Sequence, residues 1–178
     1  MNLPRRLALS SAFALALAAA PLALRAQTIV YEFGQLLSGS GAPETLTFAT
    51  LSATVSGDDV LFTLDAHGLD QFEGDQPFLG ALVVNGDNVG AVGDVSGGAS
   101  VKMVNGGGPG GGWSFRFSFI GKNKDRLVDD ETVSWTWIGG AGHLGNVAAH
   151  VQGISYGGTT SAWYQVDTSP PGLDSVAP

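Results

Sequence analysis

Between residues 28 and 166, apolar and polar side chains alternate with a period close to two almost throughout, and no stretch carries the three-to-four spacing of an amphipathic helix. Residues 28–33 read as a first strand and residues 45–55 as a second. In a third, Val60, Phe62 and Leu64 alternate with Leu61, Thr63 and Asp65, and Gly57-Asp58-Asp59 between the two suits a tight hairpin. The continuous apolar run 78–85 reads as a strand buried on both faces, closed by the Asn85-Gly86 turn signal. Residues 100–105 form a short strand ending at a second Asn-Gly pair. Trp113, Phe115, Phe117 and Phe119 then alternate with Ser114, Arg116 and Ser118, the clearest amphipathic strand of the chain. Val133, Trp135 and Trp137 make the next, and residues 146–154 and 161–166 complete roughly nine strands.

Such a pattern predicts an all-β fold, an antiparallel β-sandwich of jelly-roll type, with a barrel as the alternative. Its core would be anchored by Trp113, Phe115, Phe117, Phe119, Val133, Trp135 and Trp137. The 27 glycines all follow residue 26, as expected of many short strands joined by turns. Residues 106–112, Gly-Gly-Gly-Pro-Gly-Gly-Gly, read as a mobile connection. They lack the Lys-Ser/Thr pair and following helix of a phosphate loop.

Outside this body the chain changes character. Pro4-Arg5-Arg6, the Ala/Leu-rich run 7–24 and Leu24-Arg25-Ala26 have the three-part layout of a secretory signal peptide, so residues 1–26 are expected to be removed by signal peptidase. Uncleaved, the run of 18 residues would be a short membrane anchor. Residues 27–166 form one domain, and the proline-rich residues 167–178 read as a tail or linker. Without the leader, 5 basic residues face 16 acidic ones, a net charge of −11. A body this acidic does not bind nucleic acid or anionic lipid through its general field, and it repels acidic polymers unless a cation bridges them. The absence of cysteine excludes disulfides, a thiol nucleophile and Cys-ligated metal.

Four constellations are candidates for chemistry. Seven carboxylates lie within 30 residues, from Asp58 to Asp87, and Asp70, Glu73 and Asp75 make a dense oxygen-rich loop. That loop is either solvated or a calcium site, since calcium takes six to eight oxygens, although the spacing fits no EF-hand. His67, His143 and His150 are the histidines, and their spacing is not that of metal ligands. On the last long strand, His150 and Gln152 share a face opposite Ala149 and Val151. No motif singles out a glycosidase carboxylate pair, and no Gly-x-Ser-x-Gly elbow occurs, so no catalytic residue is assigned. Trp163 and Tyr164 must point to opposite sides of a strand, and Tyr156 lies in a Gly-rich turn nearby. These three aromatics are candidates for stacking on a sugar, with core packing as the competing role.

Ala49-Thr50-Leu51, residues 59–64, Gly68-Leu69, residues 78–82, Ala148 to Ile154 and Ser161-Ala162-Trp163 together resemble the body of exported bacterial proteins that carry PEP-CTERM sorting tails. The resemblance implies export by a Gram-negative, biofilm-forming bacterium and association with extracellular polysaccharide, and it brings no catalytic residues. The chain ends Val176-Ala177-Pro178 without the Pro-Glu-Pro motif, apolar helix and basic end of such a tail. Residues 167–178 resemble the linker that precedes one, so the sequence is expected either to be truncated or to belong to a member released without a membrane anchor. The leading expectation is a non-enzymatic secreted protein of the cell surface or matrix that associates with polysaccharide. A carbohydrate-active enzyme using the acidic loops and a self-associating structural surface protein are the alternatives.

Overall fold

The computed structural model describes residues 26–119 and 126–166. Residues 1–25 of the expected leader and the expected tail, residues 167–178, therefore lie outside the described residues. Ten strands run in order: β1 (Gln27–Ser38), β2 (Thr45–Ser56), β3 (Asp59–Ala66), β4 (Gly74–Val84), β5 (Ala91–Gly97), β6 (Lys102–Asn105), β7 (Phe115–Ser118), β8 (Glu131–Ile138), β9 (Val147–Tyr156) and β10 (Thr159–Val166). A single 3-10 turn, Leu69–Gln71, interrupts them. All pairings are antiparallel, and the hydrogen-bonded order is β5-β8-β3-β2-β1-β10-β9-β4-β7-β6.

The side chains show how this one sheet closes. In hydrogen-bond order β7 lies seven places from β8, yet their rings meet. Phe117 sits 5.3 Å from Trp135 and 5.6 Å from Phe62 of β3, and Phe115 sits 5.1 Å from Trp137. Only a sheet curled back on itself brings these strands face to face. Twist supplies part of the curl, and register shifts within β1, β4, β5 and β10 sharpen it, because a bulge bends its strand. The edges β5 and β6 are joined by residues 98–101, with Ala99 and Val101 buried, and the Asn88 side chain bonds that of Asn105 at the other end of the seam. The result is a nearly closed barrel filled by two aromatic groups. Phe62, Phe115, Phe117, Phe119, Trp135 and Trp137 form one, and Phe48, Phe72 and Tyr164 form the other, with centroids 5.0 to 5.5 Å apart. Edge-on contacts of this kind add to the hydrophobic transfer of each ring, at about 0.5–1.5 kcal/mol per pair.

The expected all-β antiparallel body is what forms, with two differences in detail. One continuous sheet curls nearly shut in place of two facing sheets of jelly-roll type. The strand count is ten, because Ala91–Gly97 is a strand that its glycines and exposed side chains conceal in the sequence. The apolar run is buried on both faces as expected: every residue from Phe78 to Val84 is buried. Trp113 departs from its expected place. The strand begins only at Phe115, so Trp113 belongs to the preceding loop and is half-exposed outside the core.

Candidate functional site

Strand register alone builds a surface on the outside of the barrel. The inward residues of β7 and β9 include Phe115, Phe117, Ala149 and Val151, so their neighbours Arg116, Ser118, Ala148 and His150 point outward. The cross-strand pairs then align in two rows. One runs Val104, Arg116, Val83, Ala148, Gln165, Gln35 across β6, β7, β4, β9, β10 and β1. The other runs Lys102, Ser118, Ala81, His150, Trp163. Ala81, Val83 and Ala148 are buried although they lie outside the core cluster, so larger neighbours cover them from outside.

His150 and Trp163 are directly opposite each other, and their rings stack nearly parallel, 4.1 Å apart at a 2° interplanar angle. Burial beneath its neighbours, reinforced by the positive charge of Arg116, pushes the His150 imidazole down to about 4. The ring is therefore neutral at physiological pH and packs against the indole without its second proton.

The first row continues into a groove of about 500 Å³. Its floor and one wall hold Gln35, Asn85, Asn146 and Gln165, and the opposite wall is Trp113 with Pro109. The Gln165 amide donates to the Gln35 side-chain oxygen at 2.8 Å, which fixes both side chains. Asn85 N–H donates to the Asn146 carbonyl at 2.8 Å. A Cβ on Gly145 would overlap the Asn85 carbonyl oxygen, so only glycine lets these two segments approach so closely. The second wall is the Gly-Pro-Gly segment itself. Gly106, Gly107, Gly108, Gly110, Gly111 and Gly112 all have φ between 63° and 105°, a region that L side chains avoid. Along this path the run lines the groove with Pro109, Gly111 and Gly112. The Trp113 indole N–H donates to the Pro109 carbonyl at 3.2 Å, and Arg116 donates to the Gly106 carbonyl at 3.2 Å, holding the root of the loop on the sheet. No side chain lining the groove is charged.

No protein-family model, curated protein or solved structure matches this chain.

The residues singled out in the sequence lie in different places. Trp163 points outward, half-exposed, beside the groove row, whereas Tyr164 is fully buried against Phe48 and Phe72 and its hydroxyl donates to the Pro43 carbonyl at 3.1 Å. Tyr156 is half-buried, and its hydroxyl accepts the Glu73 backbone N–H at 2.8 Å. Asp70 lies on the 3-10 turn, Glu73 precedes β4 and Asp75 is near its start, all exposed. Among the described residues, no three His, Asp or Glu side chains gather closely enough to hold a metal ion. His67 is exposed, and His143 pairs with Asp87 at 2.8 Å. The groove residues Gln35, Asn85, Asn146 and Gln165 carry no sequence motif, because isolated amides there look like ordinary turn and surface positions. The one signal available was at Gln165, which continues the outward parity of Ser161 and Trp163; Gln35 falls on the inward parity of Ile29, Tyr31 and Phe33 and faces out only because a register shift after Phe33 turns the strand.

Proposed function

We propose that this chain is a secreted, non-enzymatic binding domain of the cell surface or extracellular matrix, and that it holds polysaccharide in the groove between the glycine loop and β1/β10. One observation carries this reading. In a body with so many carboxylates, the groove presents carboxamides, an indole and the aliphatic side chains of Leu37, Val147 and Val166, and no charge. Carboxamides both donate and accept, which matches the paired donor and acceptor character of sugar hydroxyls. An indole offers an apolar face to the C–H side of a pyranose ring. The Gln35–Gln165 bond uses one donor and one acceptor and leaves the Gln35 amide hydrogens and the Gln165 carbonyl oxygen for a ligand. The secretory leader and the resemblance to PEP-CTERM-bearing exported proteins support the same setting, in which a Gram-negative bacterium places the domain outside the cell.

The test is affinity electrophoresis of the residue 27–178 protein through gels containing exopolysaccharide from the source organism. Retardation is expected for the wild type and is expected to be lost in Trp113→Ala and Gln165→Ala. Unchanged mobility of the wild type would overturn the proposal.

A further inference from the structure

The charge of the chain is distributed unevenly. Among the described residues the basic side chains are Lys102, Arg116 and Arg126, and all three sit on one flank of the outer face. Lys102 and Arg116 occupy the outward rows on β6 and β7. The Arg126 guanidinium lies 4.4 Å over the ring of Phe78, which belongs to the neighbouring β4. Neither row contains a carboxylate. The strand carboxylates fall on β1, β3, β5 and β8, and at the start of β4, away from its Ala81 and Val83 end. The flank also adjoins the groove, because the Arg116 guanidinium that bonds the Gly106 carbonyl holds the root of the groove wall. A guanidinium has five N–H donors in a fixed fork, so this bond leaves Arg116 most of its donors. The depressed His150 imidazole reports the same local field, since Arg116 contributes to its depression.

We propose that this flank takes the acidic groups of the polysaccharide, carboxylate or sulfate, so that the ligand is an acidic glycan whose uncharged portions lie in the groove and whose anionic groups face Lys102 and Arg116. The proposal rests on the groove being the polysaccharide site and adds the chemical class of its ligand. It also bears on the whole-chain charge, which by itself predicts repulsion of acidic polymers. At ordinary ionic strength the Debye length is about 8–10 Å, so carboxylates farther than that from Lys102 and Arg116 are largely screened from a group contacting the flank.

The experiment compares one glucan backbone in two forms, hydroxyethyl cellulose and carboxymethyl cellulose, by calorimetric titration of the residue 27–178 protein at several salt concentrations, with single-stranded DNA as a third probe. The acidic polymer is expected to bind more tightly than the neutral one, to weaken with added salt, and to lose about three- to fivefold in affinity in Lys102→Gln, with the neutral polymer unaffected by that substitution. Equal, salt-independent binding of both polymers, untouched by Lys102→Gln, would overturn the acidic-ligand inference and leave the groove reading standing. Binding of neither polymer would overturn the acidic-ligand inference, and the gel retardation by the source organism's exopolysaccharide would then decide the groove reading. DNA binding as tightly as carboxymethyl cellulose would overturn the inference in favour of a generic anion surface.

Discussion

The shielded His150 ring gives the sharpest quantitative prediction. The perturbation is acidification. In the unfolded chain His150 takes up a proton near its ordinary value of 6.5, whereas in the folded protein it does so only near 4. Between these values the unfolded state binds the extra proton and the native state does not, so stability is fully present above 6.5 and falls as pH drops toward 4. Each tenfold change in proton affinity is worth about 1.4 kcal/mol, giving an upper figure of about 3.4 kcal/mol over the window. The imidazole keeps some exposure, and solvent relaxation lowers the expected loss to about 2 kcal/mol.

Carboxylates also titrate in this range, so the assay must isolate His150. Urea unfolding of wild type and His150→Gln at pH 7, 6, 5 and 4 does this. The variant is expected to be less stable at pH 7, having lost the stack on Trp163, and to close the gap by about 2 kcal/mol at pH 4. A proton NMR titration gives the same answer directly, with a His150 midpoint near 4 that moves upward in Arg116→Gln as the opposing charge is removed. A midpoint near 6.5, or parallel pH profiles for the two proteins, would show that the ring is solvated and would refute the packing argument for the outer face.

Other expectations follow from the same geometry. Phe117 meets four rings at 5.3 to 5.9 Å, so Phe117→Ala should cost about 3–5 kcal/mol in denaturant unfolding; a loss under about 1 kcal/mol would mean that the barrel is not filled as described. Asp129 accepts the backbone N–H of the fully buried Leu69 at 2.6 Å, so Asp129→Ala should cost about 1–3 kcal/mol by stranding that donor, and Asp129→Asn, which keeps an acceptor, distinctly less. Gly145→Ala should push Asn85 and Asn146 apart, destabilise by about 1–3 kcal/mol and weaken retention on polysaccharide; full retention in a folded variant would show that these two asparagines do not contact the ligand.

The legible part of this protein was what local periodicity writes. Alternating Phe115, Phe117, Val133, Trp135 and Trp137 announce half-buried strands, because one face of each meets the core and side chains alternate along the backbone. The opposite orientations of Trp163 and Tyr164 follow from the same rule, but which of them faces the core does not. That choice is made by Phe48 and Phe72, over 90 residues earlier in the chain, which fill the space around Tyr164. Closure into one curled sheet was equally hidden. It depends on β1 pairing with β10 and on β4 lying between β9 and β7, and these are long-range choices with no local signal. The path of the glycine run was hidden for a related reason: the sequence shows a segment able to take many paths, and the contacts that go with this one, from the Arg116 guanidinium to Gly106 and from the Trp113 indole to Pro109, carry no local signal.

The charge distribution links these levels. A chain with this excess of carboxylates is kept dispersed by self-repulsion, and that field would also turn away an acidic polymer approaching most of the surface. Among the described residues, the rows on β6, β7, β4, β9 and β10 interrupt the field where Lys102 and Arg116 stand without carboxylate neighbours in register. Under the acidic-glycan proposal, repulsion elsewhere would steer such a polymer toward the side carrying the groove, and the acidity that argues against anionic ligands in the composition would become an orienting force in the fold. Register produces this effect. Moving β7 by one residue against β4 would turn Arg116 into the core and Phe117 to solvent, at the cost of several aromatic contacts, so the same packing that fills the barrel fixes where the cations stand.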